Sequence, residues 1–318
     1  MSSAPAITVI ALCYNHERFL HECLESIRTQ TCQNFELIVT DDASQDRSPG
    51  LIAEWIDRHR LKAHFIRHAA NAGICRTLNE ALARAQGKYI AMIATDDVWA
   101  PERLATQLAA MEAQGEQVAV VYSDAAQMDE DGQPLPRNFI EHHRPGLAPP
   151  SGKLFPALAD GNFIPAMSTL IRRAAIDAVG GYDERLTYED YDMWLRLAAR
   201  FDFAYCPHVV ARYRIVRTSV VRTLFVKPTA NHSATVMLIR GKWMDSALLN
   251  HQQRRMWADS LWGAAYNLYA LGDPRAPAAL WQAARYTRNT RALLLAIAAS
   301  LGLSRAALQR LRTVRARR

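Results

Sequence analysis

What the 318-residue sequence lacks narrows its class before any motif is considered. No apolar run reaches the ~18 residues that a membrane-spanning helix needs. The longest, residues 292–303, is broken by Ser300 and Gly302. Neither GxGxxG nor GxxxxGKS/T occurs, so a dinucleotide-binding turn and a P-loop are both excluded. A GxSxG nucleophile elbow is missing as well, which removes the α/β-hydrolases. Cysteine is scarce and odd in number. Cys13, Cys23, Cys32, Cys75 and Cys206 form no CxxC pair and have no His at zinc-ligand spacing. Reduced, mostly buried thiols in a cytosolic protein are expected. Residues 1–15 have neither the basic stretch nor the cleavage site of a secretory leader, which predicts no export and an idle Asn231-His232-Ser233 sequon.

Acidic residues are nearly missing from one end. Residues 228–318 hold 14 Lys and Arg against 3 Asp and Glu, whereas residues 1–227 hold 24 against 28, so the net +7 conceals a basic tail on a mildly acidic body. Four of the seven tryptophans (Trp243, Trp257, Trp262, Trp281) also fall in that stretch. The shift predicts a domain over 1–227 and a basic helical extension over 228–318, in keeping with about 150 residues per domain.

The rest is ordinary globular composition, 50% hydrophobic and 22% charged, which excludes disorder and collagen-like repeats. Apolar β-type runs at 7–12, 35–40, 64–67, 89–94 and 118–123 alternate with helical periodicity at 51–60, 74–86 and 101–114. Asn15 reads as the N-cap of a first helix carrying Leu20, Cys23, Leu24 and Ile27. The alternation predicts an α/β fold with a parallel sheet between helices. After 123 the rhythm breaks at the Asp131-Gly132 turn and a Pro/Gly-rich loop over 141–152. A helix over 190–200, short strands at 203–205 and 209–214, and successive helices to the end follow.

Two acidic pairs stand at predicted strand ends, Asp41-Asp42 and Asp96-Asp97. That edge is where ligands bind in open α/β sheets. Adjacent carboxylates repel and resist desolvation. Either a divalent cation shared with phosphates compensates them, or they are turn and cap residues; both readings stand for each pair. Glu189 and Asp190 open the predicted 190–200 helix, where the macrodipole favours carboxylates. A carboxylate beside a metal–phosphate site is equally placed to take a proton from an attacking hydroxyl.

In order along the chain, Ala11-Leu12-Cys13-Tyr14-Asn15, Val39-Thr40-Asp41-Asp42-Ala43-Ser44, Asn71-Ala72-Gly73, Thr95-Asp96-Asp97-Val98-Trp99, Gly180-Gly181-Tyr182-Asp183 and Glu189-Asp190-Tyr191-Asp192 resemble the motif series of family 2 glycosyltransferases. The resemblance covers about residues 6–217. It implies the GT-A nucleotide-sugar-binding fold, with a mostly parallel central sheet flanked by helices, followed here by the α-helical C-terminal extension. It also implies an inverting, metal-dependent hexosyltransferase that moves a sugar from a nucleoside-diphosphate donor, UDP-linked, to an acceptor hydroxyl in surface polysaccharide or glycolipid assembly. Under it, Tyr14, Asn15, Asp42, Asn71 and Asp96 bind the donor nucleotide, and Asp97 holds Mg²⁺ or Mn²⁺. Asp190 is the catalytic base, Gly181, Tyr182 and Glu189 lie on the acceptor side, Asn79 sits near the donor, and residues 161–168 help shape the acceptor side.

Some positions depart from the family pattern. Leu12-Cys13 replace a frequent Pro-Thr, Leu78 a frequent Arg, and Val216 a frequent His, leaving Arg214 and Arg217 as phosphate-neutralising or structural residues. His142-His143 falls in the 141–152 loop, either solvated or touching acceptor or metal. The implied partners are a nucleotide-sugar donor and a carbohydrate or lipid-linked saccharide acceptor, with no nucleic-acid motif. The tail admits packing on the catalytic domain, a second subunit, or an anionic membrane surface, so the expected location is cytoplasmic, with peripheral attachment at the inner membrane face as the variant. Two other classes fit the sequence less well. A catalytically silent nucleotide-sugar-binding scaffold fits less well with acidic residues at both Asp97 and Asp190; a nucleotidyltransferase would place a Gly-rich, basic phosphate loop where Cys13-Tyr14-Asn15-His16-Glu17 stands.

Overall fold

Apolar residues interrupted only by Thr8 make Ile7–Cys13 (β1) a strand buried on both faces, the pattern of a parallel strand covered by helices. The computed structural model describes residues 5–216, 229–287 and 290–303. Two compact units result, Met1–Glu184 with Tyr188–Arg217, and Arg185–Thr187 with Thr218–Arg318. The boundary expected at 227/228, and Arg217 with it, lies outside the described residues.

In the first unit β1 is followed by α1 (Leu20–Arg28), β2 (Phe35–Asp41), α2 (Ser48–His59), β3 (Ala63–Arg67), α3 (Ile74–Arg84), β4 (Tyr89–Ala94), β5 (Val98–Trp99), α4 (Arg103–Glu112) and β6 (Val118–Met128). Then come α5 (Phe139–His143), α6 (Phe155–Ala159), β7 (Thr169–Arg172), α7 (Arg173–Val179), α8 (Asp190–Ala198) and β8 (Asp202–Arg214). The eight strands form one sheet in the order β3-β2-β1-β4-β7-β6-β8-β5. The β3-β2-β1-β4 half is parallel, as the alternation predicts, and β6 pairs β8 in parallel. β7 enters antiparallel between β4 and β6, and β5 runs antiparallel to β8. Helix α1 buries Leu20, Cys23, Leu24 and Ile27, the i, i+3, i+4, i+7 stripe that seats it on the sheet.

The structure corrects several local expectations. Asn15 does not cap α1, which starts at Leu20 without a side-chain cap; Asn15 instead takes a left-handed conformation with φ 57°. The two short strands expected at 203–205 and 209–214 are one strand, β8. Between Tyr122↔Tyr205 and Asp124↔Val209 the strand bulges around Pro207, whose missing N–H imitates a strand end in sequence. The 141–152 loop is preceded and partly occupied by α5. All five cysteines are free, and four are buried.

The second unit is helical: α9 (Ala230–Gly241), α10 (His251–Ala270), α11 (Ala276–Thr287) and α12 (Thr290–Ser300), each packing on the next. The Thr229 hydroxyl caps α9 by accepting from His232 N at 3.1 Å. A reciprocal Asn250–Gln253 capping box starts α10. The apolar stripe Trp257, Leu261, Ala264, Ala265 and Leu268 is buried as its spacing predicts. Among the described residues no helix is long and apolar enough to cross a membrane.

Candidate active site

Strand register sets three carboxyl ends level, with Leu12 opposite Thr40 on β2 and Ala94 on β4. Main-chain bonds extend the alignment one step: Asp42 N donates to Cys13 O (3.0 Å) and Thr95 N to Leu12 O (2.9 Å). The loops starting at Tyr14, Asp42 and Asp96 therefore leave one edge of the sheet.

At the first acidic pair both carboxylates organise loops. Asp41 accepts from Ser44 N (3.1 Å) and Ser44 Oγ (2.5 Å). Asp42 is buried; its Oδ1 accepts from Ala72 N (2.7 Å) and meets His68 Nδ1 (2.7 Å), and its Oδ2 accepts from Gly73 N (3.0 Å). Asn71 Nδ2 donates to the Asp42 carbonyl at 3.3 Å. His68 also reaches Glu80 Oε2 at 3.0 Å. Burial alone would lower the His68 pKa, but the bonds to Asp42 and Glu80 outweigh it and raise the value. The Asn15 side chain joins this wall by accepting from Gln45 N at 2.7 Å, and its own N–H donates to Ser44 Oγ at 2.9 Å. Beside it Tyr14 is 44% exposed.

The second pair is different. Asp97 is almost fully buried, and its Oδ1 accepts from Arg214 N at 2.8 Å. Burial first, then the charge of Asp96, holds the Asp97 carboxyl well above the usual range, the Arg214 contacts offsetting only part. Asp96 Oδ2 lies 3.7 Å from His16 Nε2, and buried Oδ1 has no hydrogen-bond partner. The Arg214 guanidinium, a phosphate candidate in sequence, is committed inward. It donates to Asp96 O (2.8 Å) and Glu22 Oε2 (2.5 Å) and lies 4.7 Å from the Phe19 ring centroid. Two adjacent carboxylates with an orphaned buried oxygen and too little positive charge form a donor set that fits a divalent cation completed by phosphate oxygens and water. Among the described residues no group of three or more His, Cys, Asp or Glu side chains is gathered for a metal.

The third element is the start of α8. Asp190 Oδ1 accepts from Tyr191 N (2.6 Å) and Oδ2 from Asn162 Nδ2 (2.8 Å). Burial raises both neighbouring carboxyls, and the Asp190 charge raises Glu189 further. Tyr213 ties the two sites together: after burial, the charges of Asp97, Asp96 and Asp190 all push its hydroxyl pKa up. Charges from two distant stretches of sequence thus act on one phenol. The segment carrying Asn162 is anchored nearby, where Trp99 Nε1 (3.0 Å) and Arg103 Nε (3.2 Å) share the Met167 carbonyl and Arg103 Nη2 donates to Thr169 O (2.7 Å). Arg103 is fully buried and its guanidinium lies 3.8 Å from the centroid of the Trp99 ring, so burial lowers its pKa to about 9.

The family model described as "Glycosyl transferase family 2" matches residues 8–180. The chain belongs to that family. It is 32% identical over 199 residues to EpsE of Bacillus subtilis (strain 168), named as a glycosyltransferase, covering 62% of this chain and 68% of EpsE. It is 28% identical over 217 residues to TuaG of the same strain, named for teichuronic acid biosynthesis, covering 68% and 81%. Among solved structures, S. aureus TarS 1-349 in complex with UDP-GlcNAc has a TM-score of 0.62 at 18% identity, covering 90% of this chain and 82% of that one. The mannosyltransferase PcManGT from Pyrobaculum calidifontis, in complex with GDP-Man and Mn2+, has a TM-score of 0.59 at 20% identity, covering 97% and 83%. The fold of this glycosyltransferase is GT-A.

The remaining sequence candidates of the glycosyltransferase have structural duties. Gly181 has φ 71°, and a Cβ there would meet Asn79 Oδ1 at 2.9 Å. Asn79 holds that turn, accepting from Tyr182 N (2.8 Å) and donating to Tyr182 O (2.9 Å) and Glu184 Oε1 (3.0 Å). Tyr182 is buried with its hydroxyl 3.1 Å from Met92 Sδ. On α5, His143 stacks on Phe139 at 4.0 Å, and burial lowers its pKa. His16 and Tyr213 escaped sequence reasoning, being single polar residues whose partners lie far along the chain, and Asn162 entered it only as part of the 161–168 acceptor-side stretch. For Tyr213 the one signal was its place beside Arg214 in a strand.

Proposed function

We propose that this glycosyltransferase is an inverting hexosyltransferase that moves a sugar from a UDP-linked donor to an acceptor hydroxyl by a single in-line displacement, in surface polysaccharide or glycolipid assembly in the cytoplasm. The observation that carries the reading is the Asp96–Asp97 pair just past the carboxyl end of β4, with Asp97 buried and a buried Asp96 oxygen left without a partner. The donor-bound states of TarS and PcManGT support a nucleotide-sugar donor, and the Mn2+ in the latter supports a divalent ion. The name of TuaG supports the polysaccharide setting.

In this scheme residues 1–227 are the catalytic domain and 228–318 an extension. Exposed Tyr14 flanks the base, while Asp42, Asn15 and Asn71 hold the wall against which the nucleotide lies. Asp96 meets the ribose or sugar, and Asp97 with Asp96 would hold Mg²⁺ or Mn²⁺. When bound, that cation supplies positive charge for the departing diphosphate. The Asp190 carboxylate takes the proton of the acceptor hydroxyl as the hydroxyl oxygen attacks the anomeric carbon and the bond from that carbon to the diphosphate breaks. Asn162 fixes the orientation of that carboxylate. Glu189, raised by burial and by Asp190, retains the proton of the pair, so two charges are not forced together. Gly181 and Tyr182 shape the floor of the acceptor side.

Calorimetric titration with UDP and a panel of nucleotide sugars, in Mn²⁺ and then EDTA, tests the reading. Metal-dependent binding of one donor is expected, and no binding of any donor would overturn it.

A further inference from the structure

His68 stands directly after β3, its N–H bonded to Asp41 O at 2.9 Å, with its imidazole between two carboxylates. Nδ1 lies 2.7 Å from Asp42 Oδ1 and Nε2 lies 3.0 Å from Glu80 Oε2. A neutral imidazole has one N–H, so its second nitrogen would point a lone pair at an anion. The extra proton does not sit on the carboxyls. Ala72 N and Gly73 N donate to the two oxygens of Asp42, so both oxygens already act as acceptors. Although burial raises Glu80, the bonds from His68 and Arg84 hold its carboxyl below the usual value. Only an imidazolium satisfies both contacts.

The result is a chain of alternating sign, Asp42, His68, Glu80 and Arg84, closed by Arg84 Nη1 donating to Glu80 Oε1 at 2.9 Å. The groups facing the ring are Asp42 from the end of β2 and Glu80 from α3, while the neighbouring Asp41 carboxylate is engaged by Ser44. With all four ionised the charges cancel. Loss of the His68 proton leaves one carboxylate unanswered beside the donor wall, and a nucleoside diphosphate is itself anionic. The His68 and Asp42 side chains are 11% and 9% exposed, so water screens that charge poorly.

We propose that His68 is a positioning residue of the donor site, acting as an imidazolium that fixes the Asp42 carboxylate and cancels its charge toward an incoming nucleoside diphosphate. The inference rests on the reading of Asp42 as part of the donor wall and adds the residue that sets the charge of that wall. Burial lowers the His68 pKa, but the two carboxylates raise it above the ordinary 6.5. Its contribution is therefore full below about pH 6.5 and is lost as pH rises through the raised value. A nucleotide that raises this pKa by about one further unit loses about tenfold in affinity across the titration.

Calorimetric titration of the full chain with UDP and Mg²⁺, at about pH 6.5 and about pH 9, tests the proposal beside His68→Asn, whose amide can replace Nδ1–H without charge. The variant corrects for the pH dependence of UDP and of the metal. Relative to it, wild type should lose about tenfold in affinity at the higher pH. Glu80→Gln removes the outer carboxylate without touching the donor wall and should move the wild-type inflection to lower pH, a result that stands even if His68→Asn fails to fold. Nitrogen-15 NMR of the ring, its signal identified by the response to Glu80→Gln, should show both nitrogens protonated at about pH 6.5. A neutral ring at that pH would overturn the proposal whether or not a nucleotide binds. So would an identical pH dependence of UDP affinity in wild type and His68→Asn. Absence of UDP binding by wild type at both pH values would overturn the donor-wall reading and the donor role of His68 with it, while the nitrogen shifts still report the bridge.

Discussion

Replacing Asp190 by Asn exchanges one carboxylate oxygen for an amide nitrogen and removes one negative charge. The single carbonyl oxygen that remains can accept either from Asn162 Nδ2 or from Tyr191 N, the two bonds of the native carboxylate. One bond is lost, at a cost of about 1–2 kcal/mol. Against it stands relief of a buried charge whose pKa is raised, so folding should change little. Catalysis should change much more. An amide cannot accept a proton, and general-base catalysis is worth about 10²–10⁴ in rate, or about 3–5 kcal/mol at about 1.4 kcal/mol per tenfold. Donor affinity should persist, because the donor-wall hydrogen bonds of Asp42, Asn15 and Asn71 do not involve Asp190. The assay pairs calorimetric donor titration with continuous detection of released nucleoside diphosphate at saturating donor and acceptor. Loss of turnover with preserved donor binding is the expected result. Turnover equal to wild type would refute the assignment, and loss of donor binding would refute the separation between the two carboxylate sites. The variant also removes the charge that, after burial, raises Glu189, so the Glu189 carboxyl should titrate at lower pH.

Asp97→Asn retains an acceptor for Arg214 N but deletes a buried charge. Because the folded pKa of Asp97 lies above its unfolded value, the stability tied to this group is full below about pH 4 and declines as pH rises toward the folded value. The variant should be more stable near neutrality by about 0.5–2 kcal/mol in urea denaturation, while binding donor more weakly in Mn²⁺; unchanged metal-supported binding counts against its role. Both carboxyls of the Glu189–Asp190 pair are raised, so kcat/KM should fall as pH drops through an elevated acidic limb, and a limb at ordinary carboxylate pH would contradict the burial argument. Gly181→Ala combines a left-handed backbone with a Cβ pressed on Asn79 Oδ1, which Tyr182 N already engages. It should destabilise by about 1–3 kcal/mol, and an unchanged denaturation midpoint would show that the turn relaxes.

The parallel half of the sheet was legible because β1, β2 and β4 are apolar runs bounded by turn residues, with amphipathic helices between them. The antiparallel insertion was not. β7 is four residues long and leads straight into α7, so its pattern merges with that of the helix, and β5 is only two residues. Asp96, Asp97 and Asp190 were legible as charges at element ends. Their neighbours were not: His16 meets Thr95 at 3.0 Å and Asn162 meets Asp190 at 2.8 Å, pairings that only the completed sheet creates. Arg214 was legible as a cation, but its inward commitment to Glu22 depends on β8 pairing with β5, a contact that no local pattern encodes.

The carboxylate of Asp42 accepts from Ala72 N and Gly73 N, at the entrance to α3. In many nucleotide-binding proteins the free amides at a helix entrance cradle phosphate. Here the protein's own anion already occupies that seat at the sheet edge. Asp42 thereby acts as a built-in phosphate mimic for these two amides, and a diphosphate arriving at this edge must find its countercharge somewhere other than Ala72 N and Gly73 N.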